Sequence, residues 1–184
     1  MGKLILSIMS SIDGYMEGPN KELDWHVWNE EMEKHMFNFL NHEVDTILLG
    51  RKSYELFAAY WPSSKESIAP AMNSLKKIVF SKTLETTEWN NSTIIGDDIQ
   101  SEITRLKQRG KKDLVLFGGV EITASLIKLN LIDEYQVIIN PVVLGQGRPT
   151  FALEEKLNFK LVDLKRFNCG NVIHYYHLVK GSTN

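Results

Sequence analysis

The chain has 184 residues, with 21 Lys or Arg against 23 Asp or Glu for a formal net charge of −2, and is 43% hydrophobic and 24% charged, the balance of an ordinary globular protein. That length suits one domain, since domains run to about 100–200 residues, and a core of this size needs neither metal nor disulfide. A pI near 6.2 argues against a dedicated nucleic-acid binder, the single cysteine, Cys169, excludes a disulfide framework, a multi-cysteine zinc site and a zinc deaminase, and no apolar run approaches the roughly 20 residues of a membrane span.

Residues 1–6 begin like a signal peptide, but Ser7, Ser10, Ser11 and Asp13 interrupt the apolar run and no cleavage site follows, so a cytoplasmic domain is expected. Residues 3–9 read as a buried strand through Leu4, Ile5, Leu6 and Ile8, turned by residues 11–14 and followed by a loop over 17–21. Asn29 is placed to cap a helix to about Asn41, with Met32, Met36, Phe39 and Leu40 on one face and Glu30 and Glu31 in the first turn, where the dipole favours them. Residues 46–50 are a second strand; Arg51, Lys52 and Ser53 lead into a helix carrying Tyr54, Phe57, Ala58 and Trp61 and stopped by Pro62, with Ser53 as its cap. Strands follow at 77–81 and 92–96. Asp97 and Asp98 both offer a cap for a helix from Ile99 to Arg109; with Asp97 as the cap, Gln100 completes a capping box. A strand at 114–117 runs through Gly118 and Gly119 into a helix over 120–129, closed by Asn130. Residues 135–140 are a strand, and Pro141 opens an irregular stretch through Gly145, Gly147 and Pro149. Two last strands, 160–168 and 172–179, have no helix between them and so pair antiparallel; residues 181–184 are a loose tail. The pattern predicts one α/β domain over residues 1–180, a mostly parallel sheet with helices on both faces and an antiparallel C-terminal hairpin.

Ligands of open α/β sheets bind outside the carboxyl ends of the strands. Three such ends attract attention. At Gly50-Arg51-Lys52-Ser53, helix-start N–H groups, the dipole and a guanidinium would converge on one anion, a phosphate better than a carboxylate because several donors act at once; a solvated pair of cations beside an ordinary cap explains the segment equally well. At Phe117-Gly118-Gly119-Val120, paired glycines allow close backbone approach, although tight packing or a turn explains them too. At Ser81-Lys82-Thr83, hydroxyls and a cation would suit a ribose or phosphate, or simply a polar loop. Metal sites fail: His174 and His177 point to opposite faces of a strand, and His26, His35 and His42 lack ligand-spaced partners. Cys169 has no neighbouring base. Trp25, Trp28 and Trp61 would wall a pocket or fill the core.

Taken together, these ends resemble the dihydrofolate-reductase-like fold, three layers α/β/α, and more closely the reductase domain of riboflavin-biosynthesis deaminase/reductases and its stand-alone relatives. The resemblance rests on Ser10-Ser11-Ile12-Asp13-Gly14-Tyr15, Ile47 through Tyr54, Val79 through Leu84, Leu116-Phe117-Gly118-Gly119, and most specifically Ile132-Asp133-Glu134 followed by Pro141-Val142-Val143-Leu144-Gly145-Gln146-Gly147. It implies an NADPH site: Gly50, Arg51, Lys52 and Ser53 on the 2′-phosphate side, Ser81 and Lys82 beside the adenosine, Phe117, Gly118, Gly119, Val120 and Glu121 along the pyrophosphate, with a cis Gly-Gly peptide, and Met9 and Met16 beside the nicotinamide. It further implies a homodimer, a small-molecule substrate, and no metal, nucleic-acid or membrane partner. The upstream deaminase half of bifunctional members is missing from the chain. The carboxylate that serves the pterin in dihydrofolate reductases has no clear counterpart, with Asp24, Glu30 and Glu31 all possible, and Val120 replaces a third glycine. The expected reaction is hydride transfer from NADPH to a heterocyclic or ribityl-type substrate resembling that of 5-amino-6-(5-phosphoribosylamino)uracil reductase. Dihydrofolate or pteridine reduction and a non-catalytic NADP-binding module are the alternatives. Asp13 is the candidate proton donor, with water as the alternative donor and a turn-forming role as the other reading of the residue.

Overall fold

A computed structural model describes residues 1–179; the tail expected at 181–184 lies outside them. Its strands are β1 (Leu4–Ser10), β2 (Tyr15–Glu17), β3 (Val44–Gly50), β4 (Lys76–Phe80), β5 (Ser92–Ile95), β6 (Asp113–Leu116), β7 (Glu134–Ile139), β8 (Arg148–Pro149), β9 (Phe159–Arg166) and β10 (Val172–Leu178). The helices are α1 (Glu30–Asn38), α2 (Arg51–Tyr60), α3 (Ala69–Ser74), α4 (Ile99–Arg109) and α5 (Val120–Lys128). Eight strands form one sheet in the order β5-β4-β3-β6-β1-β7-β10-β9. The first six of that order run parallel, with pairings such as Leu49↔Val79 and Leu6↔Leu116, and the last two close the edge antiparallel.

A strand covered on both faces must be apolar along its whole length, and β1 shows why. Leu4, Leu6 and Ile8 enter the core under α4 and α5, while Ile5 enters the core under α1, α2 and α3. The expected three-layer architecture is therefore present. On the α1 side, the Asn29 side chain accepts a hydrogen bond from Met32 N at 3.0 Å, and the predicted face of Met32, Met36, Phe39 and Leu40 is buried. The helix does not run regularly to Asn41. It widens into a π-helical turn over Phe39–Glu43, which keeps Phe39 and Leu40 in the core before Val44 enters β3. At α4 the cap is Asp98, in a left-handed conformation with its carboxylate accepting from Ser101 N at 3.2 Å; the capping box built on Asp97 does not form.

Some elements escape sequence reading. Helix α3 is six residues long, too short for an apolar period to show. Its last carbonyls, Met72 O and Asn73 O, accept from Lys77 Nζ at 2.9 Å each, and that ammonium lies 4.3 Å from the Trp89 ring centre. Strands β2 and β8 pair with each other where the sequence predicts no strand, between the turn over 11–14 and the loop over 17–21 and within the irregular stretch after Pro141. Gly147 permits the pairing, because a Cβ there would fall 2.2 Å from Glu17 O.

Burial pushes the pKa of His26 and of His35 down to about 4, with Lys165 adding to the effect at His35. Between pH 6.5 and about 4 the unfolded chain therefore binds protons that the folded chain refuses, so stability falls as pH drops through that window. Thermal midpoints measured from pH 7 to pH 4 should fall, and fall less steeply in a His26→Gln/His35→Gln variant; equal slopes would assign the acid sensitivity elsewhere.

Candidate functional site

Strands β3 and β6 lie side by side, in register at Leu48↔Leu116, yet the helices that follow them leave to opposite faces. Tyr54 of α2 packs in one core, and Ile122, Leu126 and Ile127 of α5 pack in the other. Such a divergence opens a crevice at the carboxyl ends of the two strands. Both helices start at this crevice from a glycine with no side-chain cap, Gly50 for α2 and Gly119 for α5, whereas Asn29 and Asp98 cap α1 and α4. The first N–H groups of a helix have no partner within it, and the dipole makes that end positive. Two uncapped ends thus share one crevice. They are close: a Cβ on Gly119 would lie 3.0 Å from Ile122 Cγ2 and 3.2 Å from Ser53 Oγ. Gly118 and Gly119 have φ of +64° and +92°, and their peptide is trans, contrary to the cis bond that the resemblance implied. Ser53 sits in the first turn of α2 and does not cap it, because Gly50 already occupies the cap position.

The cations here are held by surface carboxylates. Arg51 Nη1 is 2.9 Å from Glu55 Oε1. Lys52 Nζ donates to Glu121 Oε1 at 3.1 Å, and Arg148 Nη2 reaches the same oxygen at 3.1 Å. The Lys52 hydrogen bond and charge, then those of Arg148, hold the Glu121 carboxyl below its ordinary range. Exposed pairs of this kind contribute about 0–1 kcal/mol, so an entering anion competes with weak partners. On the β4 side, Ser81 Oγ accepts from Thr83 N at 3.2 Å and Leu84 N at 2.9 Å, and Lys82 pairs with Asp97 at 3.3 Å. Ser81 thus shapes its own turn while bordering the crevice.

At the other end, Met9 and Phe117 pack against the α1-side core with Phe57 and Trp61, the Phe57 ring 6.2 Å from Phe117 and 6.3 Å from Trp61. Met16 approaches with the opposite core, its Cε 3.5 Å from where a Gly118 Cβ would stand. The two methionines therefore belong to opposite faces of the sheet near the ends of β1 and β6. Val120 is buried. Asp13 is exposed, and its carboxylate accepts from Ser11 Oγ at 2.7 Å, Leu144 N at 3.1 Å and Gly145 N at 2.7 Å. The Ser11 hydrogen bond above all, aided by the two amides, keeps it below the usual carboxylate range. Asp24, Glu30 and Glu31 are all exposed, and Glu31 accepts from Asn168 N at 2.9 Å.

Several residues of the site are not singled out by sequence. Asn140 Oδ1 accepts from Val27 N at 2.9 Å and Asn171 Nδ2 donates to Val27 O at 2.7 Å, so two buried amides pin the loop that carries Trp25, His26 and Trp28. The Trp25 and His26 rings meet edge-on at 4.3 Å, and His26 Nε2 is buried with no partner among the described residues. Arg148 comes from β8. The only sequence signal for any of these is an amide at a strand end, Asn140 before Pro141.

Known proteins share this arrangement. The model of the RibD C-terminal domain family matches residues 2–175. Uncharacterized protein YyaP of Bacillus subtilis is 36% identical over 181 residues, covering 95% of this chain and 94% of its own length. Among solved structures, a Shewanella sp. PV-4 protein provisionally assigned to riboflavin biosynthesis has a TM-score of 0.79 at 24% identity, covering 98% of this chain and 100% of its own. A Thermotoga maritima deaminase/5-amino-6-(5-phosphoribosylamino)uracil reductase has a TM-score of 0.67 at 14% identity, covering 97% of this chain and 57% of its own. At these identities the structures speak for the fold alone. The family match over nearly the whole chain and the likeness to YyaP carry the assignment, and the chain belongs to the RibD C-terminal domain family, a reductase family of the riboflavin-biosynthesis type.

Proposed function

We propose that this protein is a cytoplasmic, NADPH-dependent reductase that passes a hydride to a small heterocyclic or ribityl-bearing substrate, similar to that of 5-amino-6-(5-phosphoribosylamino)uracil reductases. The observation that carries the reading is the meeting of two uncapped helix starts, at Gly50 and Gly119, beside Arg51 and Lys52. Such an end is a ready anion site, and NADPH brings several phosphates. Arg51, Lys52 and Ser53 would hold the 2′-phosphate, Ser81 and Lys82 would border the adenosine, and Gly118 to Glu121 would take the pyrophosphate on backbone N–H groups. Met9, Met16 and Phe117 would keep water from the reacting ring. The cofactor, when bound, supplies the hydride; the chain binds, orients and shields.

A dihydrofolate-type reaction fits less well, because none of Asp24, Glu30 and Glu31 is buried to hold a pterin. A non-catalytic NADP module would bind the nucleotide and leave it unoxidised. Changing Arg51 to Ala removes charge-assisted hydrogen bonds worth about 1.5–3 kcal/mol, so the Kd for NADPH should rise roughly tenfold or more while NADH binding changes little. Equal weakening of both would sink the 2′-phosphate assignment. NADPH oxidation assayed side by side with ribosylaminouracil phosphate and dihydrofolate separates the two reductase readings, and binding without oxidation of either points to the non-catalytic module.

Asp13 is better suited to positioning than to proton delivery. Its lowered pKa leaves it ionised near neutrality, and it ties residues 144 and 145 to the end of β1. Water is then the proton source. Asp13→Asn should raise KM more than it lowers kcat and leave the pH profile in place; loss of an acid limb from that profile would restore the donor role.

The homodimer implied by the resemblance has a natural face. Helices α4 and α5 cover one side of the sheet only as far as β7. Beyond it, Leu161 and Leu164 of β9 are 46% and 50% exposed, on the same face as His174 and Tyr176 of β10. A second copy would cover them. Leu164→Arg should shift the protein to monomer in sedimentation analysis, and an unchanged mass would place the interface elsewhere.

A further inference from the structure

At the amino edge of the sheet, where β3, β4 and β6 begin and α4 ends, lies a cleft of about 450 Å³. Its wall carries Lys76, Arg109, Lys111 and Lys112, and the half-buried Leu75 contributes apolar surface. Such a collection of cations is unexpected in a chain of net charge −2. The one carboxylate of the lining, Asp45, is already engaged: its Oδ2 accepts from Lys111 N at 3.1 Å and Lys112 N at 3.2 Å. Glu102, close enough to feel Lys76 and Arg109, is taken up by Arg105. Among the described residues none of the four cations forms an ion pair.

The display is also fixed in place. Asp45 holds the turn that presents Lys111 and Lys112, and Gly110 lets that turn close, since a Cβ there would be 3.0 Å from Leu106 O and 3.1 Å from Lys112 O. Lys112 Nζ donates to Asn41 O at 2.7 Å, a carbonyl of the π-helical turn Phe39–Glu43. Turns of this kind are rare and recur at functional sites. We infer that this cleft binds a small phosphate-bearing molecule, with the phosphate between Arg109, Lys111 and Lys76 and a less polar portion against Leu75. A planar guanidinium beside two ammonium groups suits a multiply charged oxyanion, and a concave wall with apolar surface suits a small ligand better than a nucleic-acid strand. The cleft is separated from the cofactor crevice by the length of β3, seven residues or roughly 20 Å, so it constitutes a second site.

Inorganic pyrophosphate is the probe, titrated calorimetrically into the full chain at low salt. The wild-type protein and an Arg51→Ala/Lys52→Ala variant should both retain a binding event that weakens at least about tenfold in Arg109→Ala/Lys111→Ala. All four side chains are exposed, so folding should survive; circular dichroism checks this, and the single charge reversal Lys111→Glu should give the same loss. Absence of binding in the wild type, full retention in Arg109→Ala/Lys111→Ala, or complete loss in Arg51→Ala/Lys52→Ala would each overturn the site. Binding of an acidic peptide or an RNA oligonucleotide to this face in preference to pyrophosphate would also overturn it.

Discussion

The contact between the starts of α2 and α5 is the constraint on which the carboxyl-edge site depends. Neighbouring strands β3 and β6 send their helices to opposite faces, so the two helix starts must pass each other at the sheet edge. A side chain at Gly119 would collide with Ile122 and press on Ser53, and one at Gly50 would stand 3.3 Å from Ile122 Cγ2. Glycine at both places lets the backbones approach, and the same lack of a side chain leaves both helix starts without a side-chain cap. One steric requirement thus yields both the packing and the anion-binding potential. Asn29 and Asp98 close α1 and α4 off from that role.

Around this fixed crevice the remaining walls are assembled from distant segments. Asp13 fastens residues 144 and 145, β2 pairs with β8 and brings Arg148 to Glu121, and Asn140 with Asn171 holds Val27. Each tie joins a loop to a strand end through hydrogen bonds. Loops held in this way can change in sequence without disturbing the sheet beneath.

The two edges of the sheet also differ in electrostatic character. At the carboxyl edge, positive potential comes chiefly from backbone N–H groups, and the side-chain cations are paired with Glu55, Glu121 and Asp97. At the amino edge it comes from side chains alone, which form no ion pair among the described residues and are supported by Asp45. A net charge near zero is compatible with both, because each is a local arrangement of a few groups.

Much of this was legible in the sequence because it is encoded locally. Apolar runs such as Leu4 to Ile8, the cap at Asn29, and glycines at strand ends specify strands, helices and close approach from neighbours within a few residues, since backbone geometry repeats over short periods. The strand-end segments 50–53 and 117–120 stand out as anion-site candidates for the same reason. The tertiary structure decided what depends on pairs far apart in the chain: that Asp13 serves residues 144 and 145, that Arg148 joins Glu121, that Asn140 and Asn171 share Val27, and that four cations of three segments face one cleft. No period or propensity carries such information, because these contacts form only after the sheet order has brought the strand ends together.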